Sequence, residues 1–242
     1  MNAQLLIADG DSFGAVAARA VLSGLPVARQ RLGVATGATP VHLYAELARL
    51  SDCGDIDLSG ATLLALDEYV GLGRADPRSY AAYVHDTIAA PLGIDAANVL
   101  IPDGLAQDLD REAAAIEAQI AAIGGVDVQI AGIGANGHLA FNEPGSPFDS
   151  VTRTVTLSIQ TRRDNAAFFD GCLTAVPARA ITQGLATISR ARSIVLLARG
   201  TRKAPALRAA LRGPVTTAVP ASILQRHSHL TVVADRDAAA IL

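Results

Sequence analysis

The chain has 242 residues, a formal net charge of −3 and a pI near 5.9, so no global field draws it to nucleic acid or to an anionic membrane. Half of the residues are apolar but only 4% are aromatic, which suits close helix–sheet packing better than an aromatic-rich binding face. A chain of this length buries roughly 75% of the surface its unfolded form exposes, enough for one large α/β domain without disulfide or metal staples.

In chain order, apolar positions at helical spacing predict a helix over 12–23. RLGVATG (31–37) reads as a strand running into a glycine turn, followed by a helix from about Pro40 to Leu50. ATLLALDEY (61–69) is a second strand ending on two acids, and helices are expected over 78–90 and 109–123. VDVQIAGIG (126–134) is a third strand ending in glycines; helices follow over about 160–169 and 177–189. SIVLLAR (193–199) is a fourth strand, then a helix over 202–211 and a last strand, HLTVVAD (229–235).

Three features lead to the expectation of a cytoplasmic chain. A mean hydropathy of +0.32 raises the question of a membrane, but the uncharged stretch 128–142 is short and broken by glycine and asparagine. A spanning helix needs about 20 mostly apolar residues. The N-terminus lacks a basic segment and meets Asp9 and Asp11 at once, unlike a secretory leader. Cys53 and Cys172 are far apart and outside any CxxC arrangement, so they are expected reduced, neither bridged nor bound to metal.

Continuous apolar strands separated by helices indicate a mostly parallel sheet covered on both faces. The expected architecture is a three-layer α/β/α, doubly wound, Rossmann-like fold in one domain over 1–242. In such sheets ligands bind beyond the carboxyl ends of the strands. Those ends are unusually polar here: TGATP, DEY, GANGH and RGTRK.

Three constellations stand out. In Thr36-Gly37-Ala38-Thr39-Pro40, free backbone N–H groups and a helix N-terminus could face an anion. The segment lacks both GxGxxG and the P-loop lysine, which favours a simple phosphate over a nucleotide; a plain turn capped by Thr39 is the alternative. In Asp67-Glu68-Tyr69, alternation along a strand sends the two carboxylates to opposite faces, so one could be a base while the other anchors the loop. Solvated acids at a helix cap would explain the pair equally well. In GIGANGHLAFNEPGS (132–146), His138 sits in a glycine-dense loop with Asn136 and Glu143 nearby, the types needed for an oriented proton carrier near neutral pH. A structural histidine is the alternative. Arg162, Arg163 and Lys203 are further candidates for an anion site, or simply solvated cations.

Taken together, LGVATGATP, LDEYVGL, PDG (102–104), GIGANGHLAFNEPGS, TR (161–162) and GTRKA resemble the glucosamine-6-phosphate deaminases, also called isomerases, in order and spacing from about residue 30 to 235. The resemblance implies conversion of glucosamine 6-phosphate to fructose 6-phosphate and ammonia in amino sugar catabolism. No metal or organic cofactor and no partner beyond the small sugar phosphate are implied. It gives Asp67 the proton transfer between C2 and C1, and His138 the ring opening, assisted by Glu143 and Asn136. Thr36, Gly37, Ala38, Thr39, Arg162 and Lys203 would hold the phosphate, and a lid would fall within about 145–185. Position 136 is Asn where some members have Asp, so the His138–Glu143 pair must carry the relay. SPFDSVTRTV (146–155) lacks a lysine that longer, allosteric relatives use, and the chain ends soon after its last strand. A non-allosteric monomer or small homo-oligomer is therefore expected. A 6-phosphogluconolactonase is the nearest rival, but it is not expected to keep LDEYVGL or AFNEPG.

Overall fold

The apolar runs form the centre of one parallel sheet. In the computed structural model, which describes residues 3–10 and 12–242, β2 (Arg31–Val34), β3 (Thr62–Ala65), β6 (Val128–Gly132), β9 (Ser193–Ala198) and β10 (Leu230–Ala234) are buried almost throughout. Asp11 lies outside the described residues. Burial on both faces explains why these strands read as continuous and not alternating apolar runs. The edges are β1 (Gln4–Ile7) and β5 (Val99–Leu100), short and partly exposed, and the order is β1-β10-β9-β6-β2-β3-β5 with every pair parallel. The flanking helices include α1 (Ser12–Gly24), α2 (Val41–Asp52), α3 (Tyr80–Val84) and α4 (Leu109–Ala122). No helix among the described residues is long and apolar enough to cross a membrane.

After β2 the chain builds outward to β3 and β5, then returns through α4 to place β6 on the other side of β2. The order reverses there, so the loops leaving β2 and β6 open a crevice at the carboxyl end of the sheet. TGATP leaves β2 and GIGANGH leaves β6.

Three sequence expectations change. The strand expected over 61–69 breaks at Leu66, and β4 (Asp67–Tyr69) turns away from the main sheet. It pairs antiparallel with β8 (Arg179–Thr182), which pairs with β7 (Arg153–Thr156), giving a small second sheet in the order β4-β8-β7. The helix expected over 177–189 is β8 followed by α6 (Leu185–Ser189). A helix spans only the second half of the segment; in the first half, fully buried Ala180 and Ile181 pair with β4 and β7, and tertiary pairing overrides local propensity. The strand β1 went unread because four half-exposed residues at an edge carry no period.

At the amino end of the sheet, Asp127 is 1% exposed and accepts from Arg31 N (3.0 Å), Nε (2.9 Å) and Nη2 (2.6 Å). Removing one partner of a buried pair strands the other charge, at a cost of about 3–5 kcal/mol. Asp127→Ala should therefore lower the urea midpoint sharply, while the folded fraction keeps its turnover because the pair lies at the opposite end of the sheet from the crevice.

Candidate active site

The crevice is a pocket of about 530 Å³ lined by residues from the ends of β2, β3, β6 and β9. The turn after β2 is pinned from behind: the Tyr44 hydroxyl donates to Ala35 O (2.7 Å) and the Tyr83 hydroxyl to Gly37 O (2.8 Å). Gly37 has φ +99°, a conformation that glycine takes without strain. The amides of Gly37, Ala38 and Thr39 donate to no backbone acceptor among the described residues, and all three residues line the pocket. The helix α2 begins with Pro40 as its cap, without a side-chain capping bond, so Thr39 is not the cap that the ordinary alternative requires.

The two acids after β3 take different tasks. Glu68 turns inward and accepts from the backbone N–H of Tyr69 (2.7 Å), Tyr80 (3.0 Å) and Ala81 (2.8 Å), fixing the start of α3. Asp67 faces the pocket, 5% exposed. Burial, and then the Glu68 charge, push its carboxyl up to about 8, against a smaller lowering by the Phe141 N–H. The preceding residue, Ala140, holds φ +51° beside the pocket, a strained conformation that no sequence pattern announced.

His138 also lines the pocket, on the loop after β6. Its main-chain N–H donates to Asn136 Oδ1 (3.1 Å), and Asn136 Nδ2 donates to Glu143 Oε2 (2.9 Å). Thr161 Oγ1 and Ser158 N (3.4 Å) donate to Glu143 Oε1. Asn136 thus orients the loop and the carboxylate, and makes no side-chain hydrogen bond to the imidazole among the described residues. The ring Nδ1 is buried with no partner. Burial holds His138 below the usual imidazole range; Glu143 raises it, Lys203 lowers it and Asp164 raises it.

A Cβ at Gly134 would overlap the His138 ring. Gly134→Ala should displace the ring and cut kcat more than tenfold, while circular dichroism and the unfolding midpoint change far less.

Lys203 lines the pocket, as do Arg199 and Arg202 from the same loop after β9. The sequence offered these two within RGTRK, but nothing distinguished them from solvated cations. Arg162 is not in the pocket. Its guanidinium donates to Val176 O (3.1 and 2.9 Å) and Leu173 O (3.0 Å), tying α5 (Ile159–Asn165) to the turns before β8. The same α5 segment brings Thr161, Asp164, Asn165 and the half-exposed Phe168 to the pocket mouth. Among the described residues no group of three His, Cys, Asp or Glu side chains could hold a metal ion.

The family described as glucosamine-6-phosphate isomerases/6-phosphogluconolactonase matches residues 12–233. The chain belongs to this family. Within the glucosamine-6-phosphate isomerase/6-phosphogluconolactonase family, it is 49% identical to a glucosamine-6-phosphate deaminase of Cutibacterium acnes over 98% of this chain and 90% of that protein. A solved structure of a monomeric glucosamine-6-phosphate deaminase superposes with TM-score 0.94 at 37% identity, covering 99% of this chain and 100% of that one. A 6-phosphogluconolactonase from Leishmania guyanensis superposes with TM-score 0.76 at 22% identity over 100% and 99% of the two chains, a likeness of fold alone.

Proposed function

We infer that this protein isomerises and deaminates glucosamine 6-phosphate to fructose 6-phosphate and ammonia. The observation that carries the reading is one pocket holding the buried Asp67 carboxyl and the largely buried His138 ring beside a turn of unpaired amides and the Lys203 ammonium. A lactone hydrolase needs no carboxyl group of raised proton affinity facing a sugar carbon. An aldose–ketose isomerase does.

The amides of Gly37, Ala38 and Thr39, the Thr36 hydroxyl and Lys203 hold the phosphate, which anchors the sugar by binding energy remote from the reacting carbons. Neutral His138 takes the proton from O1 and returns it to O5, opening the pyranose ring. Glu143, held by Asn136, Ser158 and Thr161, supports the transient imidazolium by its charge. In the open chain the C2 proton lies alpha to the C1 carbonyl, so Asp67 in its ionised form removes it and delivers it to C1; because burial keeps the carboxyl protonated up to about 8, this step quickens as pH rises toward 8. A proton passing from the C2 amine to O1 completes the shift and leaves an imine at C2; water adds there and ammonia leaves. The segment from α5 to the start of β8 forms the lid, a narrower span than 145–185 because β7 and β8 are anchored in the second sheet.

An assay coupled to ammonia and fructose 6-phosphate tests the reading. Release of both from glucosamine 6-phosphate is expected, with no hydrolysis of 6-phosphogluconolactone. The opposite pattern would overturn it.

A further inference from the structure

Resting on the phosphate site just described, we propose that Arg202 is the second cation for the substrate phosphate, the place that the sequence resemblance gave to Arg162. A sugar phosphate near neutral pH is largely a dianion, and one ammonium balances half of it. The pocket offers three cations, Arg199, Arg202 and Lys203. Arg199 is committed: its guanidinium lies 4.9 Å over the Phe13 ring, with Nε 3.8 Å from Asp235 Oδ2. Arg162 is turned to the Leu173 and Val176 carbonyls. The Arg202 side chain makes no hydrogen bond or ion pair among the described residues, and neither does that of Lys203.

Two adjacent cations facing one pocket repel each other. The Lys203 ammonium is held below its usual range by burial, with Arg202 adding to that lowering and only the lid carboxylate of Asp164 opposing it. A dianion between Arg202, Lys203 and the amides of Gly37 to Thr39 removes the conflict and gives the planar guanidinium a bidentate partner. Since Arg202 is exposed and its side chain holds no hydrogen bond or ion pair among the described residues, its replacement is expected to leave the fold intact.

Titration of the protein with inorganic phosphate, followed by calorimetry, tests the assignment without requiring turnover. Arg202→Gln should raise the phosphate Kd about tenfold or more. It should also raise KM for glucosamine 6-phosphate by a similar factor, with kcat within about twofold. Arg202→Lys should recover part of the loss. Arg163→Gln, which removes the same charge from an exposed position outside the pocket, should leave the phosphate Kd unchanged. The assignment is overturned if Arg202→Gln binds phosphate as tightly as the parent, if only Arg162→Gln weakens it, or if the parent binds no phosphate. A protein that binds phosphate through Arg202 yet releases no ammonia would sink the deaminase reading and leave this one standing.

Discussion

Asp67→Asn is expected to stop turnover and to stabilise the fold. The first effect follows from the proposed chemistry: an amide cannot take the C2 proton, and loss of a positioned base costs about 100- to 10,000-fold in rate. Solvent-proton exchange at C2 should vanish with it, while phosphate binding persists. The second effect follows from burial. In the native state the carboxyl keeps its proton up to about pH 8, whereas the unfolded chain releases it near 3.8. Between those values the folded form binds the extra proton, so stability falls as pH rises, by about 1.4 kcal/mol per unit, and levels off above 8. Asparagine does not titrate. The gap between variant and parent should therefore open from pH 4 to 8 and reach several kcal/mol, readable from urea unfolding at the two ends. Ordinary turnover in the variant would move the base to Glu68, although its carboxylate is already held by three backbone N–H groups.

This tension between stability and chemistry bears on what the sequence could show. Polar strand ends located the crevice, because a parallel sheet buried on both faces has nowhere else to put TGATP, DEY and GANGH. Opposite directions for the Asp67 and Glu68 side chains were legible from alternation alone. The departure of β4 from the main sheet was not, since nothing in LLALDEY marks the break at Leu66. That break depends on β8, more than a hundred residues downstream, and β8 is only four residues long, too short to carry a period of its own. The direction of Arg162 has the same root: whether a cation on α5 faces the pocket or the Val176 carbonyl is decided by packing between distant segments. Spacing carries no record of that choice.

The second large effect expected is on ring opening. His138→Gln should slow turnover of the pyranose by about 100-fold or more, yet leave binding of an acyclic amino-alditol phosphate close to normal, because glutamine can hydrogen-bond but cannot shuttle a proton at neutral pH. The environment explains why the neutral ring is the resting form. Burial lowers its proton affinity, the Lys203 charge lowers it further, and Glu143 and Asp164 only partly restore it. A phosphate dianion arriving at Lys203 offsets the first of those charges, so the ring gains proton affinity as the sugar docks. The sign is testable: below its pKa the imidazole is already protonated and cannot accept from O1, so the rate should fall as pH drops, beyond the fall that protonation of Asp67 causes from about 8 downward. Phosphate-bound enzyme should protonate the ring at higher pH than free enzyme, followed by the ring's own NMR resonances. In Glu143→Gln the loss of the supporting charge should lower that titration in both states, with kcat reduced and KM little changed. An unshifted ring titration on phosphate binding would break the link between the anchor and the proton carrier, and would leave ring opening to a group outside the His138–Glu143 pair.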